Sequence, residues 1–275
     1  MQARPFARAL APVLGFRSPG QVAAATVAGE SPMQRWYPES RLGGYTDIDG
    51  TVAFYGRVRA LLPKKATVLD VGCGRGVHWN DPVAFRRELR TLRGRASRVI
   101  GVDVDRAGEG NPFLDEFRTI SESGVFPLGE GECDFVVSDC VLEHVADPDF
   151  FFAECARVLR PGGRIAIRTT NAASYVGLLA RLVPNRRHAD VIKRVQDGRR
   201  DGQDVFPTVY RCNTTRKLRR ALVRAGFDAA VYGYESEPRY FEFSRVLYGL
   251  AVMHQRFAPR ALRVGLLAFG ERQEV

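Results

Sequence analysis

Glycines alternate at Gly72, Gly74 and Gly76 in the string Val68-Leu69-Asp70-Val71-Gly72-Cys73-Gly74-Arg75-Gly76. Such a string acts through its backbone, because glycine turns tightly and approaches a ligand with no Cβ in the way. A dinucleotide site calls for Gly-x-Gly-x-x-Gly to seat a pyrophosphate on a helix N-terminus, and the last of those positions is Val77 here. Asp70, two residues ahead of the first glycine, repels a pyrophosphate and suits a cationic ammonium or sulfonium. A second carboxylate, Asp103, closes the apolar run Val99-Ile100-Gly101-Val102 and is of the type that accepts hydrogen bonds from both ribose hydroxyls, with Val104 beside it to pack an adenine face. In Ser138-Asp139-Cys140-Val141-Leu142-Glu143-His144-Val145, three candidates for moving a proton stand close together: Asp139, Glu143 and His144.

These groups need strands that end where they sit. Residues 66–71, 98–102, 117–120, 133–138 and 164–169 are short apolar or β-branched runs and read as five strands. Helices are predicted over 49–62, from an Asp81-Pro82 start to about Arg93, and over 150–159 behind an Asp147-Pro148 start. Strands alternating with helices predict a parallel sheet covered on both faces. Residues 106–112 read as loop. Later come helices at 174–182, 214–225 and 243–256, and strands near Val231 and Val264. The expected fold is α/β: a Rossmann-like, mostly parallel sheet with helices on both faces, and the family resemblance that follows implies seven strands with the last antiparallel.

The glycine string, Asp70 and Asp103 together resemble the class I S-adenosylmethionine-dependent methyltransferases over roughly Val68 to Asn171. The string Ala156-Arg157-Val158-Leu159-Arg160-Pro161-Gly162-Gly163 adds the family's turn before the fifth strand. The resemblance implies S-adenosyl-L-methionine as cofactor. It places Asp70, Gly72, Cys73, Gly74 and Gly76 along the methionine part, Asp103 at the ribose, Val104 at the adenine, and Asp139 within the site. Glu122 and Ser123 fall where the family holds the adenine amine, although Cys133 replaces the family's usual aromatic in that register. Leu142-Glu143-His144-Val145 resembles the ubiquinone-pathway O-methyltransferases. Their Glu-x-x-Glu-His pattern is associated with a divalent metal, and Cys140 stands at its first glutamate. Magnesium wants oxygen ligands, so no metal site is expected. His144 reads either as a base or as a packed histidine, and Glu143 as a base or a turn anchor. His78 is expected beside the pocket, and Tyr37 and Tyr45 in a segment that either packs or touches substrate.

Composition bounds the rest. At 45% hydrophobic and 26% charged, the chain is an ordinary globular one. No run reaches the roughly 20 apolar residues of a membrane helix. Five cysteines match no disulfide framework or zinc spacing, which predicts thiols in a cytoplasmic protein. The net charge of +10 is concentrated: residues 181–224 carry +9. That segment reads as a solvated face or as a gatherer of an acidic or phosphorylated acceptor. Nucleic acid is disfavoured as partner, because the Pro-Pro-Tyr signature of base-amine methylation is absent after Ser138-Asp139. The expected organisation is an extension over 1–32, a cap segment over 33–66, and a methyltransferase domain over 67–275 with a basic insert at about 184–204 and an inserted helix at about 243–256. The expected function is O- or N-methylation of a small molecule such as a sugar or secondary metabolite. Three alternatives are a nucleic-acid methyltransferase, a membrane-surface enzyme acting on a lipid-linked sugar, and a non-catalytic binder of the cofactor.

Overall fold

The computed structural model describes residues 30–182 and 207–274. Most of the expected extension and the whole basic insert, with Arg186, Arg187, His188, Arg199 and Arg200, lie outside the described residues. In chain order the helices are α1 (Pro32–Trp36), α2 (Gly50–Leu61), α3 (Ala84–Arg90), α4 (Pro148–Val158), α5 (Tyr175–Leu182), α6 (Thr215–Arg224) and α7 (Arg245–Phe257). The strands are β1 (Thr67–Val71), β2 (Arg98–Asp103), β3 (Glu116–Thr119), β4 (Cys133–Asp139), β5 (Leu159–Thr170), β6 (Phe227–Tyr234) and β7 (Gly265–Arg272). They form one sheet in the order β3-β2-β1-β4-β5-β7-β6. Strand β7 runs antiparallel to both neighbours, β5 and β6. This is the Rossmann-like arrangement the sequence predicts.

The two faces of the sheet follow from period-two alternation. Leu69, Val71, Ile100, Val136, Ile165 and Ile167 face one core with Phe152 of α4 and Leu218 and Leu222 of α6. Val68, Val99, Phe135, Val137 and Ala166 face the other, with Phe54, Tyr55 and Val58 of α2. Caps fix the helix starts. Asp49 accepts from the Thr51 and Val52 amides, Asp147 from Phe150 with Pro148 at the first helical position, and Thr214 from Lys217.

One expected helix is shorter and starts later. Asp81 does not cap α3. Its carboxylate accepts from the Val83 amide and takes two hydrogen bonds from Arg86, at 2.6 and 2.8 Å, which ties a turn and delays the helix to Ala84. The helix stops at Arg90 instead of running to Arg93, where the Thr91 amide closes on the Arg87 and Glu88 carbonyls. The loop expected after β2 contains a 3₁₀ turn, Arg106–Gly110, because Asp105 accepts from the Ala107 amide.

Phe152 is fully buried, whereas its neighbour Phe150 is 40% exposed. Phe152→Ala should lower the unfolding free energy by about 3–5 kcal/mol in urea denaturation, and Phe150→Ala by less than about 1 kcal/mol. Equal losses would contradict this packing.

Candidate active site

The alternation that builds the core also gathers charge. Counting by twos from Val68, Val99, Phe135 and Ala166 puts Asp70, Asp103, Asp139 and Arg168 on the α2 side of the sheet. All four lie toward the carboxyl ends of the parallel strands, where ligands bind in open α/β sheets. Asp139 and Arg168 are direct partners in the β4–β5 ladder. Their side chains meet in a two-pronged pair at 2.6 and 2.7 Å. The Tyr55 hydroxyl donates to the same carboxylate at 3.0 Å, and Arg90 stands 3.8 Å away. Arg168 and Arg90 both lie over the Tyr55 ring, at 5.8 and 5.5 Å from its centroid.

These neighbours set the proton affinities. Burial pushes Asp139 up, but the charge and hydrogen bonds of Arg168, then Arg90 and Tyr55, outweigh it and hold the carboxyl well below the usual range. Asp139 is therefore an ionised anchor and a poor base. Asp70 is in the opposite position. Burial, then the charges of Asp139 and Asp103, raise it to about 7 against the opposing pull of Arg90. A carboxyl crowded by two others gains from a cation laid beside it. His78 stacks on Phe113 at 3.8 Å between centroids, and burial, with Arg90 adding to it, lowers it to about 4, so its ring is neutral at pH 7.

The glycine loop is held from beneath. The Gly72 amide donates to the Val102 carbonyl at 2.8 Å, and the Gly74 amide to Asp103 at 2.9 Å. The other Asp103 oxygen accepts from the Asp105 amide. Asn111 clamps the Cys73 and Gly74 carbonyls at 3.0 and 3.1 Å. The three glycines have φ of +72°, +52° and +73°. A Cβ at Gly72 would stand 2.3 Å from Val141, and one at Gly76 would stand 2.6 Å from Asn111, whereas nothing lies within 4 Å of one at Gly74. Asp103 is held on the Gly74 amide, and the next residue, Val104, is 62% exposed. The loop thus leaves open space at Gly74 with one carboxylate fixed beside it. The Ile120 amide donates to the Asp103 carbonyl at 2.8 Å, so the following turn starts beside the same carboxylate. Glu122 and Ser123 lie exposed on that turn, and Ser123 bonds the Ser121 hydroxyl at 2.7 Å.

The remaining candidates part company. Glu143 is buried, accepts from Thr169 at 2.7 Å and from Thr170 at 3.4 Å, and its carbonyl receives the Val209 and Tyr210 amides. It anchors the 207–213 segment to the sheet. His144 is half-buried, and its Nδ1 lies 3.0 Å from the Pro207 carbonyl. A carbonyl only accepts, so Nδ1 carries a proton. Cys140 is exposed and left-handed at φ +61°. Tyr37 packs on Tyr248 and Val252 of α7, and Tyr45 stacks on Phe85 at 5.2 Å. Tyr55, Arg90, Asn111 and Arg168 escaped the sequence reading. Arg168 alone left a trace, as a charge closing the apolar stretch Ile165-Ala166-Ile167.

The family model for a methyltransferase domain matches residues 49–230. The chain belongs to that methyltransferase family. Its curated relatives include ubiquinone biosynthesis O-methyltransferases from Rhizobium johnstonii, 34% identical over 113 residues, and Caulobacter vibrioides, 31% identical over 116. The matches cover 41% and 42% of this chain and 44% and 45% of those proteins, so the chain spans less than half the length of the curated relatives it matches. A methyltransferase solved with the Haloferax volcanii Trm112 activator superposes at a TM-score of 0.51, with 19% identity, over 89% of this chain and 97% of that one. The Haemonchus contortus phosphoethanolamine N-methyltransferase 2 does so at 0.50, with 13% identity, over 84% and 54%. At these identities the likeness is one of fold. The cofactor of the family is S-adenosylmethionine.

Two outcomes follow. Asp139→Ala leaves Arg168 buried without its partner and should cost about 3–5 kcal/mol in chemical denaturation. Asp70, raised in the fold, binds its proton more tightly folded than unfolded. Its stabilising contribution is present below about pH 4 and is lost as pH rises through about 7. The denaturation midpoint of the ligand-free chain should therefore fall between pH 6 and pH 8 by more than that of Asp70→Asn, and identical slopes would contradict the shift.

Proposed function

We propose that the chain transfers a methyl group from S-adenosylmethionine to an oxygen or nitrogen of a small-molecule acceptor. The observation that carries this is the set of three carboxylates, Asp70, Asp103 and Asp139, toward the ends of β1, β2 and β4, with a left-handed glycine loop held on one of them. In this reading Asp70 answers the positive charge of the methionine part, and Gly72, Cys73, Gly74 and Gly76 give it backbone room. Asp103, already oriented by two amides, receives the ribose hydroxyls. Val104 packs the adenine, and Glu122 with Ser123 meets its amine edge.

When bound, the cofactor supplies an electrophilic methyl carbon on a positively charged sulfur. The protein's part is alignment, dryness and the fate of one proton. For a hydroxyl acceptor, Nε2 of His144 takes the departing proton, with Nδ1 held on the Pro207 carbonyl. Glu143 and Asp139 act through position: the first fixes the wall that carries His144, the second holds Arg168 and Tyr55. Because Cys140 stands where the related pattern has a glutamate, we assign no metal to the reaction. Arg211, Lys217 and Arg220, together with Asp149, line a recess of about 370 Å³ beside α4 and α6, on the opposite face of the sheet from the three carboxylates.

Calorimetry with S-adenosylhomocysteine should give a dissociation constant in the micromolar range, about −8 kcal/mol. Asp103→Ala should weaken it by about 1–3 kcal/mol, and affinity for S-adenosylmethionine should rise as pH passes about 7, where Asp70 ionises. NADH binding in place of either would overturn the reading. His144→Gln should lower kcat at unchanged cofactor affinity, with activity indifferent to EDTA. Rescue of EDTA-treated enzyme by magnesium would instead show a metal-assisted reaction.

A further inference from the structure

Helix α7 has two apolar faces, and only one of them is used by the fold. Tyr248, Ala251 and Val252 are buried against Tyr37, Trp36 and Ile48. On the opposite side Val246, Leu250 and Phe257 are 73%, 63% and 74% exposed, Met253 is exposed with them, and Phe243, just ahead of the cap Ser244, is 71% exposed. Spacings of four, three and four residues put Val246, Leu250, Met253 and Phe257 in one stripe along the helix. A row of large apolar groups this exposed is unusual on a water-facing surface and marks a contact surface.

The charges around the stripe decide what it contacts. Arg245, Arg256 and Arg260 are exposed along its border and foot, while Glu242 is the acid beside its start. Arg256 lies over the Trp36 ring, 5.6 Å from its centroid, which sets an indole beside the helix. Apolar residues outward, arginines able to reach sideways and a flanking tryptophan are the features of a helix that lies in a bilayer interface. A second copy of the chain fits less well. A two-fold pairing of this stripe on itself brings like arginines together, with one glutamate per copy to answer them. A surface of lipid phosphates answers all of them.

The position of α7 gives the contact a consequence. Parallel strand β6 ends at Tyr234, at the same edge of the sheet as Asp103 and Asp139, and β7 returns from that edge at Gly265. The connection bearing α7 therefore stands at the ligand end of the sheet. We propose that α7 is an interfacial helix that docks the chain, ligand end inward, on an anionic membrane surface. If the proposed methyl transfer holds, its acceptor is then one that dissolves in or is attached to the bilayer.

Sedimentation with vesicles tests the docking without any activity assay, so its failure is distinct from failure of the methyl-transfer reading. The full chain should bind phosphatidylcholine vesicles containing about a quarter phosphatidylglycerol at least about tenfold more tightly than phosphatidylcholine alone, and about 0.5 M salt should weaken the binding. Leu250→Glu with Met253→Glu, both at exposed positions, should reduce binding at least about tenfold and leave S-adenosylhomocysteine affinity unchanged. In a Trp79→Phe background, where Trp36 is the one remaining tryptophan, emission should shift to the blue on adding vesicles. The proposal is overturned by absence of vesicle binding, by binding that the double variant leaves intact, or by a dimer in sedimentation velocity that the double variant dissociates.

Discussion

Asp139 and Arg168 meet at matched positions on neighbouring parallel strands, and the α2 side of the sheet is organised around that meeting. Removing two charges from water is costly, and the pair is tolerated because its geometry is two-pronged and its remaining valences are used. Tyr55 donates to the carboxylate, and Thr51 receives a third guanidinium hydrogen bond at 3.1 Å. The pair thereby fastens helix α2 to the centre of the sheet. It also adds to the electrostatics of its surroundings: burial first, and then the ionised Asp139, deny Asp70 an easy charge of its own.

That denial links packing to binding. An isolated carboxylate at the end of β1 would be ionised and hydrated at neutral pH. Here it is half-buried beside two other carboxyls, and a cationic ligand relieves the repulsion. The loop above it is equally constrained. Gly74 donates to Asp103, Asn111 grips the loop carbonyls, and the left-handed glycines keep side chains out of the open space at Gly74. Backbone shape and carboxylate placement are thus one arrangement, because the same amide that shapes the loop orients the acid at its edge.

A second buried network ties the N-terminal segment to the far end of the chain. Arg86 of α3 bonds both Asp81 and Asp49, the cap of α2, and Arg239 reaches Asp49 and Glu237. Thr46 closes the circuit at 2.9 Å from Glu237. Residues before the first strand and residues after β6 are therefore held against each other beside the ligand end of the sheet, on the flank where α7 turns its unused apolar face outward.

Much of this was legible in the residues themselves. The strand runs, the Asp147-Pro148 and Thr214 caps and the order of elements follow from periodicity and cap chemistry, which act over a few residues, whereas the antiparallel last strand is implied only by the family resemblance. The glycine spacing marked the turn after β1 for the same reason: a turn and the strand ends beside it are local. Asp81 misled, since its carboxylate had a stronger partner in Arg86 than the helix amides offered. Only the tertiary structure decided how the charges are shared. Asp139 and Arg168 are 29 residues apart and become partners through strand register. Tyr55 looked like any core aromatic until α2 was laid across them. Glu143 became an anchor because a segment more than 60 residues downstream supplies its amides and fixes its neighbour His144. Sequence spacing encodes elements and turns, whereas the proton affinity of a carboxyl depends on which distant charges the packed sheet brings within a few ångströms.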